Sequence, residues 1–517
     1  MFDLLIRGAA VLDGTGAAAL RADVGVGGGR ILEVGSIPAD AQAAETVDAA
    51  GLALAPGFID IHTHADIALL ARPGHLPKIM QGVTTEVFTN CGLGFAPVEG
   101  DALRVQREYL GGLFGPDEGV DWRWRTVADL LECYAAARPA ANIAYLIPHG
   151  AVRVSVLGMA ARPASKEERL RMERLVRQGM EEGAWGLSTG LWYAPMCHAD
   201  RAETVALCRA AGLFATHQRD YGAGIREATR ETLEIAREAG VPVQLSHLQL
   251  SGREVAGQAD SILQILDRAR EEGVDVTWDS YPYAAGSTLV QALLPAWVTD
   301  GGPAPTLERL ADPEARARVA KDIAASGRDW GRTVLAGAAS AANRPYEGLP
   351  FDEIARRRGM PVEEFVCQIV VEEDLRACFI GHTQDEADVR AILRHPAQMA
   401  GSDGLHLAGK THPRLYGTFP RLLSRPVAEG VVTLPEAVRK MTSAPADRLG
   451  LRDRGRIAPG MAADLVLFDP AKVRDTATFD DPLGFPEGIP HVWVNGVAVK
   501  RDDAPTGARP GRVLRRR

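Results

Sequence analysis

The chain has 517 residues, too long for one compact domain, and its 46% hydrophobic and 24% charged residues are ordinary for a globular protein. Its 58 basic and 67 acidic residues leave a net charge of −9, which argues against nucleic acid as a partner, because phosphate binding needs a basic face. No apolar run is long enough to cross a membrane, and Met1–Arg7 lacks the charged-then-apolar order of a signal peptide. Cys91, Cys133, Cys197, Cys208, Cys367 and Cys378 form no CxxC pair; in a chain this long they point to a reducing cytoplasm.

Residues 1–56 read as short strands, Leu4–Gly8, Asp23–Val26, Arg30–Val34 and Leu52–Leu54, joined by Gly-rich turns. From residue 57 to 450 strand and helix patterns alternate. The predicted strands are Phe58–Ile61, Thr85–Thr89, Ile143–Ile147, Gly186–Thr189, Leu213–Thr216, Pro242–Ser246, Asp275–Trp278 and Gln398–Gly401. Helical periods lie between most of them: Ser165–Glu168 is a capping box, and Arg226–Ala239 and Ala259–Glu272 end near glycine. Apolar strands alternating with helices predict a parallel sheet, and eight units predict a closed (β/α)8 barrel of the TIM type. The alternation breaks over an inserted segment, about 285–348, read as a lid or as filler.

Residues 451–517 return to short strands, Ala463–Asp469 and His491–Val497, with Asn495-Gly496 as a hairpin turn. Neither end is thick enough to bury a core alone, so together they predict one small β-sandwich. The last residues, Arg509–Arg517, read as a solvated basic tail.

In such a barrel the C-terminal strand ends converge on one face, where active sites sit. Five of the twelve histidines fall at predicted strand ends. The first strand ends in His62-Thr63-His64, and residues two apart in an extended chain face one way. The later ends bring Cys91, His149, Tyr193, His217, His247, Asp279, Tyr281, Tyr283 and Asp403. His62, His64, Cys91, His217, His247 and Asp403 supply nitrogen, thiolate and carboxylate ligands, a set that favours zinc, with room for one or two ions. A metal there would activate water and polarise a carbonyl, with Asp403 carrying the proton to the leaving nitrogen. His149 is read either as orienting other groups or as satisfying backbone atoms; Asp279 and Tyr283 are read as supporting the ligands or facing substrate.

These stretches resemble the amidohydrolase superfamily, and within it the D-aminoacylase (N-acyl-D-amino-acid deacylase) family. The residues that carry the resemblance are Ala55–His64, GVTTEVFTNCG at 82–92, GLSTGLWYAP at 186–195, ATHQR at 215–219, YPYAAGST at 281–288, AGSDG at 400–404 and HPRLYGTF at 412–419. The resemblance implies a zinc held tightly by Cys91, His217 and His247, and a second, weaker position near His62, His64, Cys91 and Asp403. It implies that metal-bound hydroxide attacks a linear amide, with Asp403 as general base and then acid. It also implies that Tyr193 and Arg414 contact the substrate carboxylate. Where the family commonly has lysine two residues after the strand-6 histidine, this chain has Gln249, which donates hydrogen bonds without charge. The expected substrate-binding set is therefore Tyr193, Arg414, Gln249, Tyr283 and His149. The expected partner is a small-molecule amide, with no nucleic acid and no membrane; a homo-oligomer is left open. The alternatives are another amide, such as a cyclic amide, a dipeptide or an N-acylated xenobiotic without a free carboxylate, and a non-catalytic scaffold.

Overall fold

A computed structural model describes residues 1–115, 117–407 and 409–516. Its centre is a barrel of eight parallel strands: β1 Phe58–Asp60, β2 Val83–Phe88, β3 Asn142–Tyr145, β4 Leu187–Gly190, β5 Phe214–His217, β6 Val243–Leu245, β7 Val276–Ser280 and β8 Gln398–Ala400. Each pairs in parallel with the next, β3 reaching β4 through its extension Ile147–Pro148. The ring closes where Gly404–Leu405 pairs with Thr63–His64.

These strands are buried on both faces, as a parallel sheet covered by helices requires, and mix apolar residues with buried polar ones such as Thr85, Glu86 and Asn142. Ile59, Ile61, Val87, Ala144, Leu146, Ala215 and Met399 fill the barrel, and Ala444, Ala446 and Leu449 of helix Ser443–Leu449 pack against the same core. The capping box expected at Ser165 is formed: its Oγ accepts from the Glu168 N–H at 3.2 Å, and Glu168 accepts from the Ser165 N–H at 2.7 Å.

Both chain ends build one nine-stranded sheet. Ala53–Pro56 is its joint, pairing in parallel with Phe2–Val11 and antiparallel with Leu465–Phe468. One face of this β-domain buries Leu4, Ile6, Val24, Ile31, Leu465 and Trp493; the other lays Ala53, Val466, Val492 and Val494 on the barrel.

Two expectations are corrected. The break in the alternation runs past residue 348: Gly286–Leu289, Thr333–Gly337 and Cys378–Gly381 form an antiparallel sheet, covered by four helices between Pro303 and Glu372. The last strand of that sheet looks like any other short apolar run in sequence, and only its pairing ties it to the insertion. The C-terminal segment is also no free tail. Ile143 of β3 donates to the Arg512 carbonyl at 2.9 Å and accepts from the Leu514 N–H at 2.7 Å, and Trp185 Nε1 donates to the Leu514 carbonyl at 2.7 Å. Backbone hydrogen bonds dock it, which a string of arginines does not advertise. Arg517 of the expected tail lies outside the described residues.

Candidate metal centre

The strand ends deliver the ligands because each strand stops at the same face. His62 and His64 follow β1, Cys91 follows β2, His217 ends β5, His247 follows β6 and Asp403 follows β8. Several of these positions are strained: Thr89, Cys91, His247 and Asp403 have φ of 62°, 57°, 32° and 50°, a region that non-glycine residues rarely enter. The backbone at Cys91 is admitted by Gly190 at the end of β4, where a Cβ would lie 2.1 Å from the Cys91 carbonyl oxygen.

Two groups of ligand atoms result, joined by His62. In one, Cys91 Sγ lies 3.3 Å from His62 Nε2 and 3.4 Å from His247 Nε2. In the other, Asp403 Oδ1 lies 3.4 Å from His62 Nε2 and 3.1 Å from His64 Nε2. His217 stands beside these groups, its ring centroid 4.5 Å from that of His247, and the ligand atoms already drawn together around Cys91 are those of His62 and His247. The donor set fits a zinc-type ion. Imidazole, thiolate and carboxylate donors stand together in it, and Nδ1 of His217, beside them, is buried without a hydrogen-bond partner.

Asp279 is the outer support. Its Oδ1 accepts from His62 Nδ1 at 3.0 Å and from the His247 N–H at 2.8 Å, and its Oδ2 accepts from Gln244 Nε2 at 3.1 Å. A carboxylate behind a ligating histidine fixes the ring and its tautomer.

The electrostatics divide the six residues. Burial opposes charge on His62, yet Asp279, Cys91 and Asp403 together push its pKa well above the usual imidazole value. Burial wins at His247, whose pKa falls to about 4, and at His217, which also feels His247. Burial pushes the Cys91 thiol up to about 11, against the pull of His62. Burial would raise Asp403, but Arg414, His62 and His64 hold it well below the ordinary carboxylate range. Arg414 Nη1 is 2.9 Å from Asp403 Oδ2 as an ion pair outside hydrogen-bond geometry. Its Nη2 donates to the Ser287 carbonyl at 3.1 Å, while Nε and Nη1 are buried without an acceptor.

A cavity of about 300 Å3 opens over the centre. His64, His217, His247 and Asp403 line its floor, and Trp192, Tyr193, Tyr281 and Gln249 line its sides. The insertion supplies Ser287, Thr288, Arg328 and Phe379, so this segment is a wall of the pocket. Tyr193 Oη is 3.0 Å from Thr288 Oγ1. Gln249 Oε1 accepts from Tyr281 Oη at 3.0 Å and from Gln384 Nε2 at 2.7 Å, which fixes the amide orientation and leaves Nε2 for other acceptors. Arg414 lies over the Tyr281 ring at 4.6 Å.

Tyr283 and His149 do not line this cavity. The strand ends at Ser280 and the chain bends through Pro282, so the rule that alternate residues face one side lapses. Tyr281 faces the pocket, while Tyr283 packs against His412 and Phe479 under Arg421. His149 opens helix His149–Leu157 and pairs with Glu203 at 2.8 Å. Sequence reasoning missed Arg328, Gln384 and a buried Lys78–Asp60 pair. Arg328 and Gln384 lie in or just past the insertion; the partners of Lys78 are 18 and 324 residues away.

The amidohydrolase family profile matches residues 45–500. A D-aminoacylase of Alcaligenes xylosoxydans xylosoxydans is 38% identical over 100% of this chain and 98% of its own length. A D-aminoacylase structure described by its binuclear metal centre superposes with a TM-score of 0.84 at 37% identity, covering 100% of both chains. An N-acyl-D-glutamate deacylase from Bordetella bronchiseptica, with zinc and a phosphonate that mimics the tetrahedral intermediate, superposes with a TM-score of 0.83 at 32% identity, again over 100% of both chains.

Proposed function

Because the chain belongs to the amidohydrolase family, among its D-aminoacylases, we propose that it removes the acyl group from N-acyl-D-amino acids by hydrolysis. It is an enzyme, a metal-dependent amidohydrolase that cleaves a carbon–nitrogen bond in a small-molecule amide. The observation that carries the reading is the pair of ligand groups joined at His62, with Asp403 in one of them and ion-paired to Arg414. Cys91, His62 and His247, with His217 beside them, would hold the tighter zinc, and His62, His64 and Asp403 the weaker one. Zinc bound there lowers the pKa of water and polarises a carbonyl oxygen.

The chain's own residues do the rest. Asp403, ionised and buried, accepts a proton from the attacking water at Oδ1 and passes it to the leaving nitrogen. Arg414 holds the other carboxylate oxygen through Nη1 from behind the cavity wall, and its Nε, buried without an acceptor, is the donor left for a substrate carboxylate. Tyr193 Oη and Gln249 Nε2 add uncharged donors around it, the latter oriented by the Tyr281 hydroxyl that donates to Gln249 Oε1. Phe379, Leu113 and Leu405 keep water off the reacting bond.

The same reading divides the chain into a barrel, residues 57–450, and a β-domain from 1–56 and 451–517; strand pairing of Ala53–Pro56 with Leu465–Phe468 supports it. Among the described residues no helix is long and apolar enough to cross a membrane. A reducing cytoplasm suits six free cysteines, one of them a ligand.

The test is turnover on paired N-acetyl-D- and N-acetyl-L-amino acids, with zinc measured on the same sample. Zinc-dependent release of D-amino acid is expected. Bound zinc with no turnover in either series would discard the carboxylate-bearing substrate.

A further inference from the structure

Lys78 lies on the short helix Leu76–Ile79 between β1 and β2 and is fully buried. A buried ammonium must be paired, since its desolvation is costly. Its Nζ donates to Asp60 Oδ2 at 2.6 Å and to Ser402 Oγ at 2.5 Å. Asp60 Oδ1 accepts from the Ser402 N–H at 2.8 Å and from the His62 N–H at 3.3 Å. Ser402 Oγ also accepts from the Gly404 N–H at 3.1 Å, and the Asp403 N–H donates to the His62 carbonyl at 2.9 Å.

The backbone on each side of Asp403 is thus tied to the strand that carries His62. Asp403 itself has a φ of 50°, which aspartate holds only when its surroundings over-determine it. Lys78 touches neither the ligand atoms nor the cavity wall.

We infer that Lys78 is a positioning residue for Asp403: through Asp60 and Ser402 it fixes the left-handed turn that aims Asp403 Oδ1 at His62 and His64. A clasp of this kind holds both flanks of Asp403 and reaches the Cys91 group only through the His62 backbone, and that asymmetry separates it from a general support of the barrel. Its kinetic consequence rests on the reading of Asp403 as the proton carrier; its consequence for metal binding does not.

The test titrates zinc into the metal-stripped full-length protein and its Lys78→Met variant against a coloured chelator. The variant is expected to bind the first equivalent as the unaltered protein does, and the second about 10-fold or more weakly, as loss of an outer-shell partner commonly costs. In turnover, kcat should fall roughly 10- to 100-fold with KM nearly unchanged. Adding Lys78→Met to an Asp403→Asn protein should cost no further activity, because the group being aimed is already gone. An unchanged second equivalent with unchanged kcat, or an equal loss in the Asp403→Asn background, would overturn the inference. If Lys78→Met fails to fold, Ser402→Ala removes the same contact without stranding a charge and should give the same pattern at smaller size. If the unaltered protein deacylates nothing, the proposed function falls while the metal titration still decides Lys78; if it binds one equivalent only, the kinetic cycle decides.

Discussion

Two of the buried polar networks in this molecule contrast, one at the seam between barrel and β-domain and one at the strand ends. At the seam, Asp464 accepts from the Asn495 N–H at 2.6 Å, from Asn142 Nδ2 at 3.1 Å and from Arg454. Asn495 Nδ2 donates to Asn142 Oδ1 at 2.8 Å and to the Pro510 carbonyl at 2.9 Å. No side-chain atom of Asn142, Asp464 or Asn495 is left over. At the strand ends, three histidine Nδ1 atoms and the Nε of Arg414 have no hydrogen-bond partner, and three of the candidate ligands have left-handed backbones. A network that satisfies itself holds a fold; one that leaves donors and strain is waiting for a ligand.

If that contrast is right, damage to the two networks separates cleanly. Asp403→Asn should lower kcat per folded molecule by roughly 1,000-fold, the loss of a general base, while also stranding the buried Arg414; near-normal turnover would erase the distinction. Cys91→Ser should release the tightly bound zinc and the activity with it, yet melt within a few degrees of the metal-stripped parent. Retention of both metal and activity would remove Cys91 from the centre.

The seam should behave in the opposite way. Asp464→Asn leaves Arg454 without its buried partner and should cost about 3 to 5 kcal/mol in urea denaturation, while activity per folded molecule is unchanged. An activity loss at full stability would show that the seam reaches the site.

A different lever, pH, sharpens the contrast. Burial, opposed by Glu436, pushes Lys440 down to about 7, and its Nζ donates to the carbonyls of His395 and Gln398. The unfolded chain, with lysine near the ordinary value of about 10.4, binds the extra proton between about pH 7 and that value. Stability should therefore rise with pH across this window. Lys440→Met should flatten the rise, read as denaturation midpoints from pH 7 to 10, with turnover unaffected. An unaltered slope would assign the dependence elsewhere.

The eight barrel strands were legible because each is a short apolar run between helical periods, and the ligands because chemistry-bearing residues stand just past those runs. The two-end β-domain was legible because neither end could bury a core alone. What was not legible depends on pairing over distance. Lys78 reads as an ordinary surface lysine until Ser402 is brought to it. Tyr281 and Tyr283 are equivalent by spacing, and only the bend at Pro282 separates them. The sequence places His217 with Cys91 and His247, and only the fold shows that the His62 ring also stands 3.3 Å from Cys91 Sγ while His217 lies against His247. The insertion's last strand, Cys378–Gly381, pairs with residues about 90 positions earlier, which no local pattern records.

The docked C-terminal segment has a consequence for how the molecule comes into being. The open edge of β3 at Ile143 is covered by Arg512 to Leu514, some 370 residues downstream. At about 5 to 20 residues per second, a translating ribosome needs on the order of 20 to 70 seconds to make that stretch. Through that interval the nascent barrel carries a bare strand edge, the feature through which half-made sheets stick to one another. The arginine-rich segment is thus a cover that arrives long after the strand it protects, and a newborn chain depends on solvent, neighbouring loops or a chaperone until it does.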